Sequence, residues 1–146
     1  MSDPSATVRR PTAVLAEDHR ETAERLKELL QTAFDVVALV EDGRALVSAA
    51  ARLSPDLIVT DISMPGLDGI EAARVIRGRD PDARIVFVSV HSELILVERG
   101  LATGAFGYVW KESAGDELVD AGRAALAGRQ FISRDLRREP DRRRAD

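Results

Sequence analysis

LIVTDISMPGLDG, residues 57–69, combines an apolar run, an acidic residue and a turn. The run Leu57–Thr60 does not alternate between apolar and polar residues, which is typical of a strand buried on both faces of a parallel sheet. Asp61 follows the run directly, and Pro65-Gly66 marks a turn before a helical pattern at 69–77. The stretch therefore predicts a central parallel strand with an aspartate at its carboxyl end.

Similar apolar runs alternate with helical patterns over most of the chain. We predict strands at Thr12–Ala16, Asp35–Val40, Leu57–Thr60, 84–90 and 106–110, and helices near 21–32, 44–53, 69–77, 93–102 and 115–127. Five units, each a strand followed by a helix, fit an open, doubly wound α/β sheet and are too few for an eight-stranded barrel. The domain organisation that we predict is a flexible N-terminus over 1–11, one domain over 12–132 and a charged, mobile tail or linker over 133–146.

Length and composition exclude several classes of protein. A chain of 146 residues is long enough for one domain, and the lack of cysteine excludes thiol catalysis, disulfides and cysteine-ligated zinc. The longest apolar run is residues 36–40, far below the ~20 residues of a membrane helix, so we expect a cytoplasmic protein without membrane contact. The acidic body argues against direct nucleic-acid binding, although six arginines and four acids follow residue 133.

Charged and hydroxyl side chains stand where the predicted strands end. They are Glu17, Asp18, Asp61, Ser89 and Lys111, the last being one of only two lysines. Ligands of open α/β sheets bind at the carboxyl ends of the strands, where these side chains are expected to meet. A hard divalent cation such as magnesium offsets the repulsion among gathered carboxylates. A carboxylate beside magnesium, lysine and a hydroxyl suits phosphoryl transfer, in which aspartate can act as the nucleophile.

Each of these residues also has an ordinary structural interpretation. Asp18 with Glu21 three residues later fits a capping box for the first helix. Asp61 before the turn fits a turn-forming aspartate, and a lone serine or lysine needs no special role. We favour the functional interpretation because the residues form a set at one edge of the predicted sheet.

Three segments carry a resemblance to a known family. Residues 13–19, 61–69 and 104–111 resemble the receiver domains of bacterial two-component response regulators, in particular the subgroup that usually precedes a LuxR-type helix-turn-helix. The resemblance spans roughly residues 12–132. It implies a flavodoxin-like (βα)5 fold with a parallel sheet of strand order 2-1-3-4-5.

The resemblance also implies roles for individual residues. Asp61 matches the phosphoacceptor, and Lys111 matches the lysine that pairs with a phosphoryl oxygen. For Mg²⁺, or alternatively Mn²⁺, the matching ligands are Asp18, Asp61, the backbone carbonyl of Ser63 and, through water, Glu17. Glu17 departs from the family pattern, since many members carry aspartate there. Ser89 and Tyr108 match the two switch residues.

The resemblance implies a signalling switch rather than a classical enzyme. A histidine kinase or phosphotransfer protein would supply the phosphoryl group, and the face made by helix 4, strand 5 and helix 5 would control output. Helical spacing predicts that Ile95 and Leu96 point outward on this face and contact a partner or a second copy. Two alternatives are a phosphorylation-independent pseudo-receiver scaffold and an aspartyl phosphatase. Ser63 disfavours the phosphatase, because such enzymes carry a second aspartate at that position.

Overall fold

The computed structural model describes residues 9–137, which form a six-stranded parallel sheet. The strands are β1 (Thr12–Ala16), β2 (Asp35–Val40), β3 (Leu57–Thr60), β4 (Ile85–Ser89), β5 (Gly107–Trp110) and β6 (Phe131–Ile132). Their order is β2-β1-β3-β4-β5-β6. The predicted doubly wound fold and the order 2-1-3-4-5 are confirmed, and the structure adds a sixth strand that sequence patterns did not predict.

Helices cover both faces of the sheet. They are α1 (Arg20–Gln31), α2 (Gly43–Leu53), α3 (Gly69–Arg79), α4 (Leu94–Ala102), α5 (Ala114–Leu126) and the short α6 (Arg134–Arg137), with a 3-10 turn at Lys111–Ser113. One apolar cluster packs α2, α3 and α4 on the sheet, and a second packs α1 and α5 on the opposite face. Burial from both sides explains why β3 and β4 have no exposed position.

The turn between β3 and α3 is held close to the strand end by glycine. A Cβ on Gly69 would lie 1.9 Å from the carbonyl oxygen of Asp61, so only glycine allows this approach. The amide of Gly69 donates to Ile62 O at 2.7 Å, and the Asp68 side chain caps α3 by accepting from Glu71 N at 2.8 Å. These contacts fix the backbone on which Asp61 stands.

The packed structure extends beyond the predicted domain boundary at Ile132. Ser133 is fully buried and Leu136 is 5% exposed, so this part of the predicted tail packs on the domain. Residues 1–8 and 138–146, which hold most of the predicted flexible N-terminus and much of the predicted tail, lie outside the described residues. No helix within residues 9–137 is long and apolar enough to cross a membrane.

Candidate functional site

Two buried carboxylates meet at the carboxyl end of the sheet. Asp61 follows β3 and is 3% exposed, and Glu17 follows β1 and is 1% exposed. Strands β1 and β3 pair directly, with Ala16 opposite Thr60, so the residues after these two strands are neighbours. Two buried acids this close need compensation by positive charge, because burial disfavours the ionised form of each.

Lys111 supplies that compensation. Its Nζ lies 2.6 Å from Glu17 Oε1 and 2.9 Å from Asp61 Oδ2, and its side chain is 13% exposed. Burial by itself lowers the pKa of Lys111, but the hydrogen bonds and negative charges of Glu17 and Asp61 outweigh it and raise the pKa above 10.5. The ammonium therefore stays charged, and its stabilising contribution is lost only when the pH rises through this higher pKa.

The remaining carboxylate oxygens are only partly satisfied. Asp61 Oδ1 accepts from Ile62 N at 2.7 Å, and Glu17 Oε2 accepts from His19 N at 3.0 Å. Asp18 Oδ1 is buried and accepts no hydrogen bond from any residue of the described part, although His19 Nδ1 lies 3.2 Å away. A buried polar atom without a hydrogen bond calls for another partner.

The buried Asp18 Oδ1, which accepts no hydrogen bond within the described residues, is available as a ligand for a metal ion. Glu17, Asp18 and His19 each offer one ligand atom, and these atoms lie within 4.8 Å of one another. With Asp61 at the neighbouring strand end, the carboxylates form an oxygen-rich set of the type that hard cations prefer. The residues therefore fit a divalent cation. The capping-box interpretation of Asp18 is wrong, because His19 rather than Asp18 is the N-cap of α1, and this residue makes no side-chain capping hydrogen bond.

His91 connects the two predicted switch residues. Its amide donates to Ser89 Oγ at 3.0 Å, and its carbonyl accepts from Tyr108 Oη at 2.8 Å. Its ring Nε2 lies 2.8 Å from Ser63 Oγ, so the same residue also reaches the loop that follows Asp61. Sequence reasoning assigned His91 no role, and the only available signal was its position two residues after Ser89.

The burial of Tyr108 leads to a pH prediction. Burial raises the pKa of Tyr108 to about 12; hydrogen bonding with Ser89 lowers it, and the charges of Glu93 and Asp61 raise it. Tyr108 is the only tyrosine, so tyrosinate absorbance reports this one group. We expect titration near pH 12 in the folded chain and near pH ~10 in denaturant.

This shift implies that unfolding becomes easier as the pH rises from about 10 to about 12, because only the unfolded chain then gains from ionising the phenol. Tyr108→Phe is the control and should remove this part of the alkaline loss of stability. Titration of Tyr108 near pH ~10 in a chain that is still folded by circular dichroism would contradict the prediction.

The predicted interaction residues differ in exposure. Ile95 is 61% exposed, as expected, whereas Leu96 is half-buried and packs against the α2–α3–α4 cluster. The prediction that Leu96 points outward is therefore wrong. On α4, both Val97 and part of Leu96 pack against the rest of the domain. Val90, also 61% exposed, lies just before α4 and joins Ile95 among the exposed large apolar side chains of the described residues.

Comparison with known proteins identifies the class to which this fold and site belong. The profile of the response regulator receiver domain matches residues 13–123, and the chain belongs to this family of signalling switches. The transcriptional regulatory protein DegU of Brevibacillus brevis is 36% identical over 121 residues, which cover 82% of this chain and 51% of DegU. The chain thus spans about half the length of this curated relative.

Solved structures agree with this assignment. A LuxR-family two-component response regulator from Aurantimonas sp. SI85-9A1 is 34% identical with a TM-score of 0.87, and the match covers 94% of this chain and 99% of that one. The isolated REC domain of RcsB from Salmonella enterica serovar Typhimurium, in the presence of the phosphomimetic BeF3−, is 25% identical. Its TM-score is 0.81, and the match covers 88% of this chain and 97% of that chain.

Proposed function

We propose that the chain is a phosphorylation-operated switch that takes a phosphoryl group onto Asp61. The observation that carries this proposal is the contact of Lys111 Nζ with Asp61 Oδ2 at 2.9 Å beside a second buried carboxylate, Glu17. A carboxylate held at a strand end next to an ammonium is placed to attack phosphorus while positive charge stabilises the transferred group. The contact between Lys111 and Asp61 also argues against a scaffold that works without phosphorylation, because such a scaffold does not need an ammonium beside this carboxylate.

In the proposed reaction a histidine kinase or phosphotransfer protein presents a phosphohistidine. A carboxylate oxygen of Asp61 forms a bond to phosphorus as the bond from phosphorus to the imidazole nitrogen breaks, and the released imidazole takes up a proton. Lys111 pairs with an oxygen of the transferred group. Because this step involves little covalent chemistry by the protein beyond the nucleophile, positioning and charge stabilisation dominate it.

A divalent cation completes this site. Asp18, Asp61 and the backbone carbonyl of Ser63 are the ligands that we propose for Mg²⁺, with Mn²⁺ as an alternative and Glu17 contributing through water. The buried, unpartnered Asp18 Oδ1 supports this assignment. When bound, the cation supplies positive charge to the oxygens of the phosphoryl group and of the phosphoacceptor.

The proposed switch runs from Ser89 to Tyr108. A phosphoryl oxygen on Asp61 accepts from the Ser89 hydroxyl and draws it away from the His91 amide, which donates to Ser89 Oγ in the unmodified chain. His91 also holds the phenol of Tyr108 through its carbonyl. Phosphorylation therefore shifts the population between two arrangements of the face made by α4, β5 and α5.

The function is tested by incubating the wild-type chain with acetyl phosphate and Mg²⁺ and measuring intact mass. We expect the addition of one phosphoryl group that is sensitive to hydroxylamine, as an acyl phosphate is. Phosphorylation that does not depend on Mg²⁺, or no gain in mass with either acetyl phosphate or a phosphorylated histidine donor, contradicts the proposal.

The α4 face supports a further prediction about partners. Ile95 of α4 and Val90 in the loop before this helix are exposed apolar side chains, and we propose that a second copy covers them after phosphorylation. Ile95→Asp should weaken phosphorylation-dependent association about tenfold or more, because it places a charge in an apolar contact. Sedimentation velocity with and without beryllofluoride measures the effect.

Val37→Asp is the matched control, because Val37 is also an exposed apolar residue but lies on β2 at the other edge of the sheet. Unchanged association of the Ile95 variant, or an equal loss of association in the Val37 variant, would contradict the proposal that α4 contacts a second copy.

A further inference from the structure

The segment that follows α5 closes the sheet edge next to the phosphoacceptor site. Phe131 N donates to Phe106 O at 2.8 Å, and Ser133 N donates to Tyr108 O at 2.9 Å. We call residues 131–137, which comprise β6, Ser133 and α6, the clasp. The backbone groups that the clasp covers belong to Phe106 and to β5, the strand that carries Tyr108 and is followed directly by Lys111.

Ser133 is the polar anchor of the clasp. It is fully buried, and its Oγ accepts from Trp110 N at 2.8 Å and donates to Glu117 Oε1 at 2.7 Å. Glu117 Oε2 also accepts from Arg134 N at 3.1 Å. Because the buried hydroxyl has both a donor and an acceptor partner, its position is specific rather than that of a loose surface contact.

Leu136 is the apolar anchor. It is 5% exposed and belongs to the same apolar cluster as Phe87, Val97 of α4 and Tyr108. The clasp therefore covers the β5 edge between α4 and α5, which is part of the face proposed above to change on phosphorylation.

The clasp is connected to the site through the end of β5. Ser133 holds the amide of Trp110, and the next residue, Lys111, places its Nζ 2.9 Å from Asp61 Oδ2. A phosphoryl group on Asp61 inserts oxygens where the ammonium now contacts the carboxylate, so Lys111 has to move away from it. The docked clasp holds the backbone directly before Lys111 in place while Lys111 contacts the unmodified aspartate.

We propose that the edge of β5 is a docking surface for the clasp and that phosphorylation of Asp61 releases the clasp. This inference rests on the proposed function, since it needs a phosphoryl group at Asp61. Coupling between two sites is reciprocal, so the docked clasp opposes phosphorylation by the same factor by which phosphorylation weakens docking. Release uncovers the backbone acceptors of Phe106 and Tyr108 and the apolar seat of Leu136.

Hydrogen exchange of the wild-type chain tests release directly. Beryllofluoride with Mg²⁺ serves as the phosphoryl analogue, and its binding is followed separately by the fluorescence of Trp110, the only tryptophan. We expect the amides of Phe131 and Ser133 to exchange at least ~5-fold faster in the analogue complex, a factor at the lower end of typical allosteric coupling. Slower or unchanged exchange in a chain that binds the analogue overturns the clasp and leaves the proposed function standing.

Variants test the reciprocal effect. Ser133→Ala removes the polar anchor, Leu136→Ala removes the apolar anchor, and each should tighten beryllofluoride binding ~5-fold or more. Ser48→Ala, an exposed serine on α2, is the control and should bind as the wild type does. Weaker or equal binding by both folded anchor variants contradicts the inference. Failure of the wild type to bind beryllofluoride and to accept a phosphoryl group removes the proposed function, and the clasp proposal with it.

Discussion

Asp61→Asn is expected to abolish phosphorylation by acetyl phosphate and by a histidine donor while leaving the fold intact. The amide has no anionic oxygen to attack phosphorus, so the covalent step has no nucleophile. The ion pair of Lys111 with Glu17 at 2.6 Å does not involve residue 61, and we expect the unfolding free energy to change by no more than about 1–2 kcal/mol. Intact mass and urea unfolding measure the two effects.

Asp68→Asn is the matched control for this substitution. Asp68 lies on the same loop, is exposed and caps α3, and asparagine caps helices as well as aspartate does. This variant should be phosphorylated as the wild type is. If Asp61→Asn took up a phosphoryl group at the wild-type rate, the phosphoacceptor would have to be another residue.

Lys111→Ala is expected to reduce the rate of phosphorylation by ~100-fold or more, the cost typical of removing a group that stabilises charge in a transition state. The variant also leaves the buried carboxylates of Glu17 and Asp61 without their ammonium. Removing one partner of a buried ion pair typically costs about 3–5 kcal/mol, and we expect a loss of stability of this order at pH ~7.

Stopped-flow or quenched phosphorylation measures the rate, and urea unfolding measures the loss of stability. Lys27→Ala is the control, since Lys27 is the only other lysine and lies within α1 rather than at a strand end. Equal rates for the Lys111 and Lys27 variants would remove Lys111 from the phosphoryl-transfer machinery.

Much of the fold was predictable because the central strands are buried on both faces. Such strands need continuous apolar runs, and β1 and β3 have the predicted bounds. The edge strand β2 also has them. β6 was missed because two residues are too short to show a period, and its existence depends on the pairing of Phe131 N with Phe106 O. The packing of Leu96 was missed because helical spacing shows which residues of α4 share a face. It does not show how wide a stripe of the helix surface the rest of the domain buries.

By itself the sequence determined the parallel α/β architecture and the set of chemical groups at one edge, since parallel strands bring their carboxyl ends to the same side of a sheet. Only the tertiary structure decided how those groups are paired. It joined Lys111 to both Glu17 and Asp61 and left Asp18 Oδ1 without a hydrogen bond. It also made His91 the link between Ser89 and Tyr108, and it bonded Ser133 to the amide of Trp110 on β5. The physical reason is that most of these contacts join residues far apart in the chain, and distances between such residues are set by packing and strand pairing rather than by local sequence.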